Sequence, residues 1–329
     1  MTRSCFLSAG GDVFIASLVL KLWQDNWRDE IDHMWICFNN HSDVPKEVVS
    51  EFLAKWSQDP KVRIIFSPQG LGNGKPITLM TKCSDDDLVI LLEDDGFIFE
   101  SGAVNKCFQD IESDLTDIVG SPRFSCGTEI GEASKIKYSL DYSGYGDVGP
   151  NFWPNFFFCK REDLLKTDLN FASIGFKAGD YCKELDYTFK DVNYGDTFVW
   201  ACMQLRALGL RSQSVPQHHA GPFEIQDKEK HEQNWHPTQS WFPWIHGGSL
   251  STSWNGYLSD RLPDLSNESA IQETETRVSF WTIASDVIEG FEDFKKLYKE
   301  GIENLIVNGN LDRGRIEKKI EIYRSLLKV

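Results

Sequence analysis

The chain has 329 residues, of which 41% are hydrophobic and 26% charged, and its net charge is −16. That is the composition of a globular protein with room for one large domain or two modest ones. The acidic balance excludes a broad electrostatic grip on nucleic acid or on an anionic membrane. The longest early apolar run, residues 14–20, is too short to span a bilayer. Residues 1–7 lack the form of a secretory signal, so a cytoplasmic location is expected. None of the eight cysteines (Cys5, Cys37, Cys83, Cys107, Cys126, Cys159, Cys182 and Cys202) forms a CxxC pair. They are expected as buried free thiols of a reducing compartment, and a zinc site is not expected.

Residues 5–8 read as a short strand ending in the turn Ala9-Gly10-Gly11-Asp12. Phe14, Leu18, Leu22 and Trp23 then repeat at helical spacing. Residues 34–38 form the next strand and end in the polar cluster 39–43. Val48, Val49, Phe52, Leu53 and Trp56 mark a second helix. Residues 62–66 are a third strand, and a helix is expected to start near Pro76. The intervening loop holds Gly70, Gly72, Gly74 and Lys75. It does not meet the phosphate-loop pattern, because residue 69 is Gln and Pro76 follows Lys75.

Residues 88–92 are apolar without a break, as in a strand buried on both faces. Glu93-Asp94-Asp95-Gly96 follow at once. Four alternations of strand and helix predict a parallel sheet with right-handed crossovers. The polar strand ends should line one edge of it, where ligands bind in open α/β sheets. Three adjacent acids repel one another unless something positive sits among them, and a hard divalent cation takes oxygen ligands. Asp95 is expected as the first ligand and Asp94 as the second, holding a diphosphate through Mg²⁺ or Mn²⁺. Glu93 is left to contact ribose or sugar.

Further along, residues 104–111 read as a helix and residues 117–120 as a short strand. Residues 121–150 read as loop or irregular hairpin. Residues 151–159 are a strongly aromatic strand, and a short helix starts at Arg161. Tyr194-Gly195-Asp196-Thr197 is expected to open a helix running to about residue 207. Residues 211–216 are a strand, followed by His218 and His219. Residues 223–265 show no regular element and hold Trp235, Trp241, Trp244 and Trp254. From residue 271 the chain is expected to be helical.

Over residues 1 to about 220 the order of these parts resembles the GT-A-fold glycosyltransferases, above all the large inverting family that uses nucleotide-sugars. Glu93-Asp94-Asp95 looks like the DxD motif, with Glu93 standing where the first Asp is usual. The resemblance implies an α/β, Rossmann-like domain with a mostly parallel central sheet flanked by helices. It implies a metal-dependent transfer of sugar from a nucleotide-diphosphate donor, a UDP-sugar favoured, to a glycan or other hydroxyl acceptor. Ser8, Ala9 and Gly10 would face base and ribose. Asn39, Asn40 and Asp43 lie where relatives contact the base. Gly72, Asn73 and Lys75 would lie against the nucleotide, with Lys75 near phosphate. His219 or His218 would be a further metal ligand, with His231, His236 and His246 behind them. Trp153, Asn155 and Trp244 would face the acceptor. Asp196 is either an acid favoured by a helix dipole or the general base of a single, inverting displacement.

On this reading residues 1–222 are the GT-A domain, with a nucleotide-binding half (1–100) and an acceptor half (101–222). Residues 223–265 are an aromatic-rich acceptor or lid segment, and residues 266–329 a helical extension. The rivals are a nucleotidyltransferase and a non-catalytic module for nucleotide-sugar or glycan. The first would want a basic glycine loop after the first strand, which residues 9–12 lack. An enzyme that glycosylates modified DNA is disfavoured by the charge, and nothing in the sequence sets an oligomeric state.

Overall fold

The computed structural model describes residues 1–39, 44–72, 74–123, 127–138, 151–215, 218–219, 243–247, 250 and 265–329. The expected alternation of strand and helix is present. It runs β1 (Arg3–Ala9), α1 (Val13–Leu22), β2 (His33–Asn39), α2 (Lys46–Trp56), β3 (Val62–Ser67), α3 (Gly74–Cys83) and β4 (Leu88–Glu93). Next come β5 (Gly96–Ile98), α4 (Ala103–Glu112), β6 (Ile118–Arg123), α5 (Thr128–Tyr138), β7 (Asn151–Lys160) and α6 (Arg161–Leu165). The second half continues with β8 (Ile174–Phe176), β9 (Tyr181–Cys182), β10 (Tyr187–Thr188), β11 (Asn193–Gly195), α7 (Val199–Ala207), β12 (Ser212–Ser214), β13 (His218–His219) and β14 (Trp244–His246). Three helices end the chain: α8 (Glu268–Val287), α9 (Glu292–Asn308) and α10 (Arg313–Leu327).

The central sheet has seven strands in the order β12-β6-β7-β4-β1-β2-β3. β4, β1, β2 and β3 are mutually parallel, as are β6 and β12. Only β7 runs against its neighbours β4 and β6. The unbroken apolar run of β4 has a simple cause. Leu88, Ile90 and Leu92 join the core under α1, α2 and α4, while Val89 and Leu91 join the core under α3, α6 and α7. Both faces of the strand are dry, so no polar alternation survives in its sequence.

The C-terminal helices continue the first of these cores rather than standing apart from it. The Phe14 ring of α1 lies 5.8 Å from Phe294 and 4.6 Å from Tyr298 of α9. Phe280 of α8 stacks on Phe97 of β5 at 5.0 Å and on Tyr323 of α10 at 4.5 Å.

Two local expectations are corrected. Residues 128–138, read as loop, form α5. Only Ile130, Ala133 and Ser134 are deeply buried among its described side chains, so no apolar stripe announces it. Its first turn is fixed instead by Glu129, whose carboxylate accepts from Tyr187 Oη, the Lys190 and Asp191 amides and Asn193 Nδ2 at 2.8–2.9 Å. The second correction is at residues 193–195, which are not the start of a helix but a strand paired antiparallel with β8. The helix begins only at Val199, after Phe198 adopts φ +72°.

The seven described cysteines are free thiols, six of them buried and Cys83 exposed; Cys126 lies outside the described residues. Among the described residues, no helix is long and apolar enough to cross a membrane.

Candidate active site

β4 is interior to the sheet and ends level with its parallel neighbour β1, so its terminal acids are delivered to the sheet's carboxyl edge. They then part company. The Asp94 amide donates to the Ser8 carbonyl at 3.1 Å, and the Asp94 carboxylate accepts from the Gly10 amide. Asp94 thus holds the turn after β1, where Gly11 takes φ +111°. Asp12, next in that turn, caps α1 by accepting from the Phe14 and Ile15 amides at 2.9 and 3.1 Å. Its other oxygen accepts from the Tyr298 hydroxyl at 2.7 Å.

Asp95 points into a different group. Its carbonyl accepts from the Gly247 amide at 2.7 Å. Its Oδ1 lies 3.3 Å from His246 Nε2 and accepts from Asn155 Nδ2 at 3.3 Å. Glu93, Asp95 and His246 each offer a ligand atom, and these atoms all lie within 4.8 Å of one another. Two carboxylates and an imidazole at that spacing suit Mn²⁺ or a similar divalent ion. Without one, the like charges of Glu93 and Asp95 oppose each other. Asp95 is in this group as expected; Glu93, expected at ribose or sugar, is in it too, whereas Asp94 is not among the three and its carboxylate accepts from the Gly10 amide.

The histidine in the group is His246, one of those ranked behind His218 and His219. A small second sheet, β13-β14-β5, brings residues 218–219 and 244–246 beside the acidic turn. His246 is paired with Gly96, and His219 lies beside His246 in the parallel register. His246 is the imidazole in the cluster. For His218 and His219 only the backbone is described. His231 and His236 lie outside the described residues. His246 was discernible in the sequence only as a histidine after two apolar residues in an aromatic-rich stretch; nothing local ties it to β4.

The remaining expected residues sort as follows. Ser8, Ala9 and Gly10 sit at the end of β1 beside Asp94. Asn39 is 3% exposed, and its side chain accepts from the Leu71 amide at 2.6 Å and donates to the Gly72 carbonyl at 3.4 Å. It clamps the glycine loop instead of presenting itself to a base. Gly72 takes φ +72°, a conformation open to glycine. A Cβ on Gly74 would come within 2.3 Å of the Ala172 amide nitrogen, so this glycine lets α3 abut residues 171–172. Lys75 is exposed at the start of α3. Asn40, Asp43 and Asn73 lie outside the described residues, and of Trp153 only the backbone is described.

Asp196 lies in the turn between β11 and α7. Its Oδ1 accepts from the Thr197 amide at 2.7 Å and lies 3.5 Å from Ser173 Oγ. The Phe198 amide donates to the Phe171 carbonyl at 2.9 Å. Residues 171–173 therefore touch the glycine loop through Gly74 on one side and the Asp196 turn on the other.

Trp244 is corrected outright. It is fully buried, stacks on Phe156 at 4.9 Å with the rings 7° apart, and donates from Nε1 to Ser121 Oγ at 2.8 Å. It offers no surface to an acceptor; it anchors β14 to the main sheet. Asn155, on β7, is also fully buried, and its side chain is hydrogen-bonded to the acidic turn.

Residues 15–180 match the sequence pattern of the family described as "Glycosyl transferase family 2". The chain belongs to glycosyl transferase family 2. It is a glycosyltransferase with a GT-A-type α/β fold, and the nucleotidyltransferase alternative falls away. The family match spans β1's partner helix α1 through β4 and β7, including Glu93, Asp95 and Asn155, and stops before Asp196 and His246. A search of curated proteins finds no match.

Solved structures of similar shape include a mannosyltransferase, PcManGT from Pyrobaculum calidifontis, in complex with GDP-Man and Mn2+. It is 9% identical, with 98% of this chain and 75% of that one covered at a TM-score of 0.45. S. aureus TarS 1–349 is 9% identical over 99% of this chain and 92% of that one, at 0.42. The galactosyltransferase LgtC, with donor and acceptor sugar analogues, is 12% identical over 88% and 98%, at 0.44. These likenesses are distant, and the family membership rests on the sequence match.

Proposed function

We propose that this glycosyl transferase family 2 enzyme moves a sugar from a nucleotide-diphosphate donor to an acceptor hydroxyl in one inverting displacement. A divalent cation, Mn²⁺ or Mg²⁺, is held by Glu93, Asp95 and His246. The observation that carries this reading is the convergence of those three side chains at the carboxyl edge of the sheet. When bound, the cation neutralises charge on the departing diphosphate.

The protein's own groups do the rest. The turn of Ser8, Ala9 and Gly10, fixed by Asp94, and the loop of Gly72, fixed by Asn39, form the walls of the nucleotide site. Lys75 stands at the phosphate end. Asp196 takes the proton from the acceptor hydroxyl as that oxygen attacks the anomeric carbon, while the bond from that carbon to the diphosphate breaks. Attack from the side opposite the leaving group inverts the anomeric configuration. The acceptor is a glycan or another hydroxyl compound, approaching from the side of residues 171–196.

The test is a screen of nucleotide-sugars, UDP-sugars first, for release of nucleoside diphosphate with and without Mn²⁺. The expected result is metal-dependent release, and a product whose anomeric configuration by NMR is opposite to the donor's. Release that ignores the cation, or retained configuration, contradicts the proposal.

A further inference from the structure

Asn155 is fully buried, and both ends of its carboxamide are committed to the acidic turn. Its Oδ1 accepts from the Glu93 amide at 3.1 Å, and its Nδ2 donates to Asp95 Oδ1 at 3.3 Å. The turn therefore presents a donor to one end of this side chain and an acceptor to the other. Only a carboxamide of this length answers both. The reversed orientation would set N–H against N–H and oxygen against carboxylate. An Asp here would press a third carboxylate onto Asp95.

The backbone is bent to make this contact. Pairing of β7 with β4 stops at Phe157, and its pairing with β6 shifts register between Gly120 and Pro122. Within that gap Phe156 takes φ +59° although it is not glycine. It is fully buried, and its ring is stacked on Trp244. Such a conformation costs free energy and persists where packing enforces it, often beside a functional site. Gly96 completes the seat: a Cβ there would lie 2.1 Å from Asn155 Oδ1. Two features, the left-handed Phe156 held by its stack on Trp244 and the bare Gly96, thus bear on one neutral side chain.

We infer that Asn155 is the positioning residue of the cation site: it locks Glu93 and Asp95 into the spacing that binds a divalent ion. The inference rests on the metal reading above. A neutral group is what the task requires, since it orients Asp95 without competing for the cation or adding charge. Groups that orient metal ligands in this way influence affinity without touching the ion.

The test is titration of purified protein with Mn²⁺ alone, followed by calorimetry and by the Mn²⁺ electron paramagnetic resonance signal, with the melting temperature of metal-free protein measured in parallel. Wild type should bind, and Asn155→Ala should bind about 10- to 100-fold more weakly. Gly96→Ala should both lower the metal-free melting temperature and weaken binding. The double variant should melt no lower than Asn155→Ala alone, because the clash is gone, and bind Mn²⁺ as weakly as Asn155→Ala. That non-additive pattern separates positioning from general damage to the fold. If wild type binds and Asn155→Ala binds equally well, the positioning role is overturned while the metal site stands. If wild type does not bind Mn²⁺, the metal reading fails and this inference with it.

Discussion

Glu93, Asp95 and His246 meet although the first ends β4, the second lies in the turn after it and the third belongs to a strand far along the chain. Their shared geometry orders the expected variants. Glu93→Gln and His246→Ala should each weaken Mn²⁺ binding by at least about tenfold in the same calorimetric titration. Asp94→Asn should leave Mn²⁺ binding largely intact, because an amide oxygen can still accept from Gly10. For the proton-transfer role, Asp196→Asn should lower kcat by about 10²- to 10⁴-fold, with donor binding retained in a melting assay. The acidic turn was legible in the sequence because an apolar run broke abruptly into three charges. The split of duties within it was not, since it depends on which backbone amides come near, Gly10 for one acid and Gly247 for the other. Trp244 is illegible for a related reason: an aromatic residue in an irregular, aromatic-rich stretch reads as surface until its partners Phe156 and Ser121 are known.

Among elements, the turn between β1 and α1 links the acidic turn to the C-terminal helices. Asp12 caps α1, sits two residues from the amide that holds Asp94, and receives the Tyr298 hydroxyl from α9. Burial pushes its carboxyl up to about 6 from an ordinary 3.8, against the hydrogen bonds from Ile15, Tyr298 and Phe14. The folded protein therefore holds this proton more tightly than the unfolded chain. The resulting stability is full below the ordinary carboxylate value and is lost as pH rises through about 6. A shift of that size corresponds to about 3 kcal/mol. Urea unfolding of wild type and Asp12→Asn across this window should show a falling contribution in the first and a flatter profile in the second. Tyr298→Phe should cost about 1–3 kcal/mol in the same measurement through the lost buried hydrogen bond. Strands β1 to β4 and their helices were readable from continuous or periodic apolar runs. α5 and β11 were not, because each is held by polar contacts with distant residues, Glu129 with 187–193 and Asn193–Gly195 with Ile174–Phe176.

At the scale of the whole molecule, the final helices were recognisable as helices but not as part of the catalytic domain's core. Their apolar faces look the same whether they pack on one another or on α1. The structure puts Phe280, Trp281, Phe294 and Tyr298 in the cluster that also holds Phe14 and Leu92. Trp281 is fully buried, and Trp281→Ala should destabilise the entire fold by about 3–5 kcal/mol. A single cooperative unfolding transition, lowered as a unit, is the expected readout; a separate early transition confined to the helices would contradict it.

On the proposed function, the carboxyl edge of this sheet binds a nucleoside diphosphate through a cation held by Glu93, Asp95 and His246. The most direct test of this is the melting temperature of the wild-type protein with UDP, GDP and other nucleoside diphosphates, each with and without Mn²⁺. Binding to the folded state raises the melting temperature by mass action. At least one nucleoside diphosphate should give a rise that requires Mn²⁺ and disappears in Asp95→Ala. No rise with any of them, or a rise that is the same without the metal, would contradict the proposed function.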